Sequence, residues 1–209
     1  MNMLQKITVL LVGLAMLIAT SNIVNASFDG TITLVNNTSQ YSYGTGGEFH
    51  ADTSGLGEFQ TFCIKHTASF YPGVEYNYII GNNVSIGTAW LYSQFRSGNL
   101  NNYNYDMGYN RTLSANKLQQ ALWWTENQGG ERNEYVKLAE SVLQMDDVSI
   151  RLNANGIYNV VALNLYDNNG TPMQNQLAIT PVPEPSTVIS GLLLLAPFTL
   201  SLFRQKLTV

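Results

Sequence analysis

The chain carries one cysteine, Cys63, in the run Phe62-Cys63-Ile64, and a pair of glutamines further on in Leu118-Gln119-Gln120-Ala121-Leu122-Trp123. A single thiol cannot close an intramolecular disulfide or supply paired sulfurs to a zinc site, so whatever chemistry it has is that of a nucleophile, active as the thiolate. A Cys–His hydrolase pair is the weaker reading. His66 follows Cys63 by three positions, which on a strand turns it to the opposite face, and His50 stands in a separate segment with no signature around it. The glutamines are sorted by helical spacing. At about 100° per residue Ala115, Leu118, Ala121 and Leu122 form one apolar stripe, Gln119 falls on its edge beside Leu122 and Trp123, and Gln120 points nearly away. Gln119 is therefore the better placed of the two. A bland reading stands beside this one: free cysteine is among the most buried residue types, and Gln-x-x-Leu-Trp is an ordinary amphipathic pattern, so both segments also suit a plain core.

The elements that must position these residues change period along the chain. Residues 31–35, 48–51, 59–66 and 74–80 are β-branched or aromatic runs separated by Asn, Gly, Ser and Thr clusters, which reads as strands and turns, with Pro72-Gly73 opening the last of them. Cys63 falls near the end of one such strand. A helix then opens at Ser85 and is stopped by Gly98; a polar, Tyr- and Asn-rich loop fills 99–110. A second helix is expected from a Ser114 cap to about Asn127, ended by Gly129-Gly130, and a third over 132–145. Residues 157–166 and 173–179 flank Asp167-Asn168-Asn169-Gly170 as a hairpin. That turn lacks the further ligands and distal Glu of a calcium loop. Strands, helices and strands again predict an α+β domain, a β-sandwich or barrel with a helical insertion.

Taken together, Phe62-Cys63-Ile64 and Gln119-Gln120-Ala121-Leu122-Trp123 resemble bacterial surface thioester domains, whose motifs are an aromatic-Cys-hydrophobic strand and a Thr-Gln-x-x-hydrophobic-Trp helix. The resemblance implies that the Cys63 thiol condenses with the Gln119 side-chain amide, releasing ammonia and leaving an internal thioester open to a nucleophile on a partner surface. This chain departs from the pattern at Leu118, where the family has Thr. A thioester must be screened from water until that nucleophile arrives, and Trp123, Phe62 and Tyr71 are the aromatic residues placed to cover it.

The two ends read as addresses. Residues 1–26 hold one basic residue, an apolar run over 7–19 and Val24-Asn25-Ala26 before Ser27, the pattern of a secretory signal cut by signal peptidase after Ala26. Residues 181–209 hold Pro183-Glu184-Pro185, a hydrophobic stretch over 188–203 and the basic Arg204 and Lys206. The positive-inside rule keeps that basic end cytoplasmic, so the body faces outward. The three parts in this order resemble the PEP-CTERM sorting tail of Gram-negative bacteria that make exopolysaccharide. That resemblance implies a sorting helix held transiently in the inner membrane and cleavage by an exosortase near Pro183, Glu184 and Pro185.

Composition agrees with export. Of 209 residues only 11% are charged, about half the usual share, and the body between the two addresses has seven basic and thirteen acidic side chains, a net charge of −6. It offers no basic surface for nucleic acid. Tyr41, Tyr43, Tyr103, Tyr105 and Tyr109 stand among Asn and Gly, where exposed rings can stack on sugars. The expectation is an exported cell-surface or matrix protein with one domain over 27–180. It would act as a covalent adhesin of single turnover rather than an enzyme, need no cofactor, and be attacked at the Gln119 carbonyl by an amine or hydroxyl of a surface or matrix polymer. The alternative is a non-covalent structural or carbohydrate-associating protein of an exopolysaccharide or biofilm matrix.

Overall fold

Side chains alternate between the two faces of each strand, and apolar residues on both build a sheet with a core on either side. In the computed structural model, which describes residues 27–35, 42–43 and 46–181, the strands are β1 (Gly30–Val35), β2 (Ser42–Tyr43), β3 (Gly46–Thr53), β4 (Gly57–Phe62), β5 (Glu75–Asn83), β6 (Val160–Tyr166) and β7 (Gln176–Ile179). The helices α1 (Ile86–Arg96), α2 (Tyr109–Thr125) and α3 (Glu134–Leu143) are inserted between β5 and β6. Ala26, Pro183, Glu184, Pro185 and the hydrophobic stretch of the tail lie outside the described residues.

The sheet curls into a nearly closed antiparallel barrel. Hydrogen-bonded neighbours run β4-β3-β1-β5-β6-β7, with β2 a short addition at the start of β3. The ring is closed between β7 and the end of β4 by the bridge Cys63↔Gln176, by Ile64 N–H donating to Asn175 O at 3.1 Å, and by the Thr61 hydroxyl donating to Leu177 O at 2.7 Å. Closing a small sheet this way pairs its edges and leaves an interior that side chains can fill.

Two apolar clusters follow from the period of two. Ile32, Leu34, Phe49, Ala51, Phe59, Cys63, Tyr76, Tyr78, Leu163, Leu165 and Ala178 point into the barrel. Their neighbours Phe62, Ile64, Val160, Ala162 and Leu177 point outward and are covered by the helices through Leu91, Tyr92, Phe95, Leu118, Leu122 and Val136. Cys63 and Phe62 thus face opposite ways from one strand.

The helix ends show which local signals decide. Ser85 caps α1, its hydroxyl accepting from Thr88 N–H, and Gly98, at φ +74°, stops it. Asn133 caps α3 by accepting from Tyr135 N–H. α2 begins earlier than a Ser114 cap predicts: its N-cap is Gly108, which has no side chain to bond, and Ser114 is buried inside the helix with its hydroxyl accepting from Asn104 N–H. The extra first turn is held from outside. Arg111 pairs with the fully buried Glu48 of β3 at 2.6 Å and 3.0 Å, and Tyr103 donates its hydroxyl to the same carboxylate at 2.7 Å. The loop before α2 is correspondingly not a free aromatic surface. Tyr103 is buried and Tyr105 half-buried, both packed on Phe95, and only Tyr109 of these three is exposed.

Candidate functional site

Cys63 sits one residue past β4, fully buried, where the barrel closes. The β3–β4 ladder runs from Thr53↔Gly57 to Glu48↔Phe62, and the next rung would join Gly47 to Cys63. Another group fills that gap. Gln119 of α2, 1% exposed, inserts its carboxamide between the strands: Gly47 N–H donates to Gln119 Oε1 at 2.9 Å, Cys63 N–H donates to the same oxygen at 3.2 Å, and Gln119 Nε2 donates to Cys63 O at 2.6 Å. The side chain takes the place of a backbone peptide in the sheet.

Two glycines make room for it. Gly47, where the β3–β4 ladder stops, has φ +127°, a conformation other residues avoid. At Gly46 an added Cβ would fall 2.7 Å from Trp123 Cη2 and Cζ2 and 2.9 Å from Gln119 Cγ, so only glycine lets α2 close on the strand. The helical spacing read from sequence holds here: Ala115, Leu118, Ala121 and Leu122 are fully buried, Gln119 reaches the sheet, and Gln120 is only partly buried.

This arrangement has the parts of an acyl-transfer centre. Two backbone N–H groups converge on Oε1, where negative charge would collect if the carbonyl carbon were attacked, and such preorganised donors are the main device by which proteins stabilise that charge. The side chain of a strand residue stands out of the hydrogen-bonding plane. The Cys63 sulfur therefore stands off that plane, in the cluster of side chains inside the barrel. Burial opposes ionisation of the thiol and pushes it up to about 12, while a hydrogen bond from Gln176 acts the other way. Gln176, fully buried on β7, donates from Nε2 to Cys63 Sγ at 3.3 Å.

Of the aromatic residues expected to cover the site, Trp123 is 4% exposed and packs over Gly46 beside Gln119, with the exposed His66 edge-on to its ring at 4.6 Å. Phe62 is fully buried but belongs to the other face, against Phe95 at 5.0 Å, so it walls off the helix side rather than the sulfur. Tyr71 is 69% exposed and supplies little cover; its N–H donates to the Tyr76 hydroxyl. His50 bonds across the ladder to Glu58 at 3.4 Å.

Gln176, Gly46 and Gly47 carry the site with Cys63 and Gln119, and sequence reasoning passed over them. Gln176 had one available signal, an amide at a position whose alternate neighbour, Ala178, points into the barrel. An open cleft of about 190 Å³ lies elsewhere, between Gln60, Phe95, Arg96, Gly98, Tyr105 and Arg111. No protein-family model, curated protein or solved structure matches the chain.

Proposed function

We propose that this is an exported surface or matrix protein that attaches covalently through an internal thioester between Cys63 and Gln119. One observation carries the reading: Gln119 Oε1 accepts from two backbone N–H groups, one of them that of Cys63 itself, in a buried gap at the end of a strand ladder. In the first step Cys63 Sγ bonds to Gln119 Cδ, the Cδ–Nε2 bond breaks, and the thiol proton leaves with the nitrogen as ammonia. In the second, an amine or hydroxyl of a surface or matrix polymer attacks Cδ, the Cδ–Sγ bond breaks, and the proton of the nucleophile returns to sulfur. Each molecule reacts once, so the protein is a single-use adhesin rather than an enzyme, and no cofactor enters either step.

The terminal segments place this domain outside the cell in the same proposal. A signal peptide ending at Ala26 directs export, and the Pro183-Glu184-Pro185 tail is a PEP-CTERM signal cut by an exosortase after transient anchoring in the inner membrane. The domain similar to surface thioester domains is then the part that meets the partner polymer.

A second reading has its own support. Gln119 satisfies three backbone groups, which is reason enough for a buried glutamine in a non-covalent matrix protein. Intact mass of the isolated full chain separates the two. The covalent reading expects the loss of one ammonia, then the gain of one methylamine when that amine is added, and no loss in Cys63→Ala or Gln119→Ala. A full wild-type mass with a titratable thiol would leave only the structural reading.

A further inference from the structure

Gln176 is a polar side chain in the wrong surroundings. On β7 it pairs across the barrel seam with Cys63, and the interior it faces is built from Ile32, Leu34, Phe49, Leu163, Leu165 and similar residues. A buried primary amide costs free energy unless its donors find acceptors. Its oxygen has only a 3.5 Å approach from the Thr61 hydroxyl, which bonds Leu177 O more closely at 2.7 Å, and the acceptor its Nε2 meets is Cys63 Sγ at 3.3 Å. A thiol sulfur is a weak acceptor. A thiolate is a strong one, since hydrogen bonds to an ionised partner are roughly twice as strong as neutral ones. The amide is therefore placed where it matters most in the one state in which the sulfur carries charge.

We infer that Gln176 is the donor to the Cys63 sulfur when it leaves as thiolate, so that Gln176 sets how fast the acyl group on Gln119 is transferred. The inference rests on the covalent reading of the site. In the transfer step the Cδ–Sγ bond breaks with its electron pair passing to sulfur, and Gln176 Nε2–H meets that charge until the proton of the nucleophile arrives. In the thioester the same N–H faces a sulfur with little negative charge, so the contact strengthens along the reaction and lowers the barrier rather than the ground state. The division of labour is geometric. Gly47 and Cys63 N–H groups hold the oxygen of the acyl group, and Gln176 reaches the sulfur from the opposite side of the seam. Burial alone would keep the thiol protonated far above neutral pH, so departure without a donor would be slow.

The test uses the full chain as wild type, Gln176→Met and Gln176→Leu, following intact mass during reaction with methylamine. Gln176→Met removes the donor while filling an apolar interior, so it should unfold at no lower temperature than wild type, still lose its ammonia, and react about 10-fold to 100-fold more slowly. A structural role for Gln176 predicts the opposite pair, lower stability with an unchanged rate. Gln176→Leu likewise removes the donor with an apolar side chain of similar size, and should also be slow, which holds the test open if the methionine variant fails to fold. Peptide mapping should place the methylamine adduct on Gln119. Variants that fold and react at the wild-type rate, or an adduct on Gln176, would overturn the inference and leave the thioester standing. A wild-type chain that retains its ammonia would overturn both.

Discussion

Gln119 can be weighed as a structural part separately from its chemistry by removing the sulfur first. In a Cys63→Ala chain no thioester can form, yet every backbone group that Gln119 serves is still present, because its partners are the N–H and C=O of position 63 and the N–H of Gly47. Adding Gln119→Leu to that chain replaces the amide by an apolar group of similar size and leaves three backbone groups unpaired in a gap where Cys63 is fully buried and Gln119 1% exposed. Each stranded group costs about 1–3 kcal/mol, so the double variant should be at least roughly 3 kcal/mol less stable than Cys63→Ala alone. For a domain of this size that corresponds to a fall in Tm of roughly 6 °C or more. Urea unfolding followed by tryptophan fluorescence, with a parallel thermal melt, measures it, and an unchanged m-value would show that the denatured state is not the cause. A loss below about 1 kcal/mol would refute the reasoning, because the carboxamide would then not be holding β3 and β4 together.

Three further outcomes follow from the same geometry. Gly46→Ala forces a Cβ to within 2.7 Å of Trp123 and 2.9 Å of Gln119, so it should cost about 1–3 kcal/mol in urea unfolding and also slow or abolish the loss of ammonia that the covalent proposal expects. With the thiol free, burial raises the folded pKa of Cys63 to about 12, above its ordinary value near 9, and Gln119→Ala keeps the thiol free in every molecule. The folded state then holds the proton that the unfolded state loses, so stability conferred by the neutral thiol should fall between about pH 9 and 12 relative to Gln119→Ala/Cys63→Ala; parallel pH curves for the two would contradict it. Arg111→Ala removes the bidentate counter-ion of Glu48, whose side chain is fully buried, and should cost roughly 3–5 kcal/mol by chemical denaturation, whereas a loss under about 1 kcal/mol would show the charge is otherwise neutralised.

Much of the scaffold around the site was legible residue by residue. Ser85 and Gly98 bound α1 as their types suggest, because a hydroxyl cap and a left-handed glycine act within one turn of chain. The turn at Asp167-Asn168-Asn169-Gly170 forms for an equally local reason, with Asp167 Oδ1 accepting from Asn169 and Thr171 N–H. The wheel that set Gln119 apart from Gln120 worked because helix geometry is fixed at 3.6 residues per turn. What failed depended on distant partners. α2 starts at Tyr109 rather than at Ser114 because Glu48, far back on β3, holds Arg111 in the first turn. Tyr103 and Tyr105 looked like free loop aromatics for the same reason: the groups that bury them, Phe95 and Glu48, are not neighbours in sequence. Tyr71, expected to help cover the thioester, is instead 69% exposed, its backbone N–H bonded to the Tyr76 hydroxyl.

By itself the sequence determined the period of each element, hence which residues of β4 and α2 turn inward, and it singled out one thiol and one better placed amide. Only the tertiary structure decided what those groups meet. Barrel closure brings Gln176 to the sulfur across 113 positions of sequence, and the packing of α2 brings Gln119 to the Cys63 backbone across 56. Neither meeting has a local signature, because ladder closure and helix docking are driven by burial summed over the whole core, which is non-directional and leaves no mark at the residues it happens to juxtapose. The directional contacts are made where the β3–β4 ladder stops, and there the Gln119 amide bonds the N–H groups of Gly47 and Cys63.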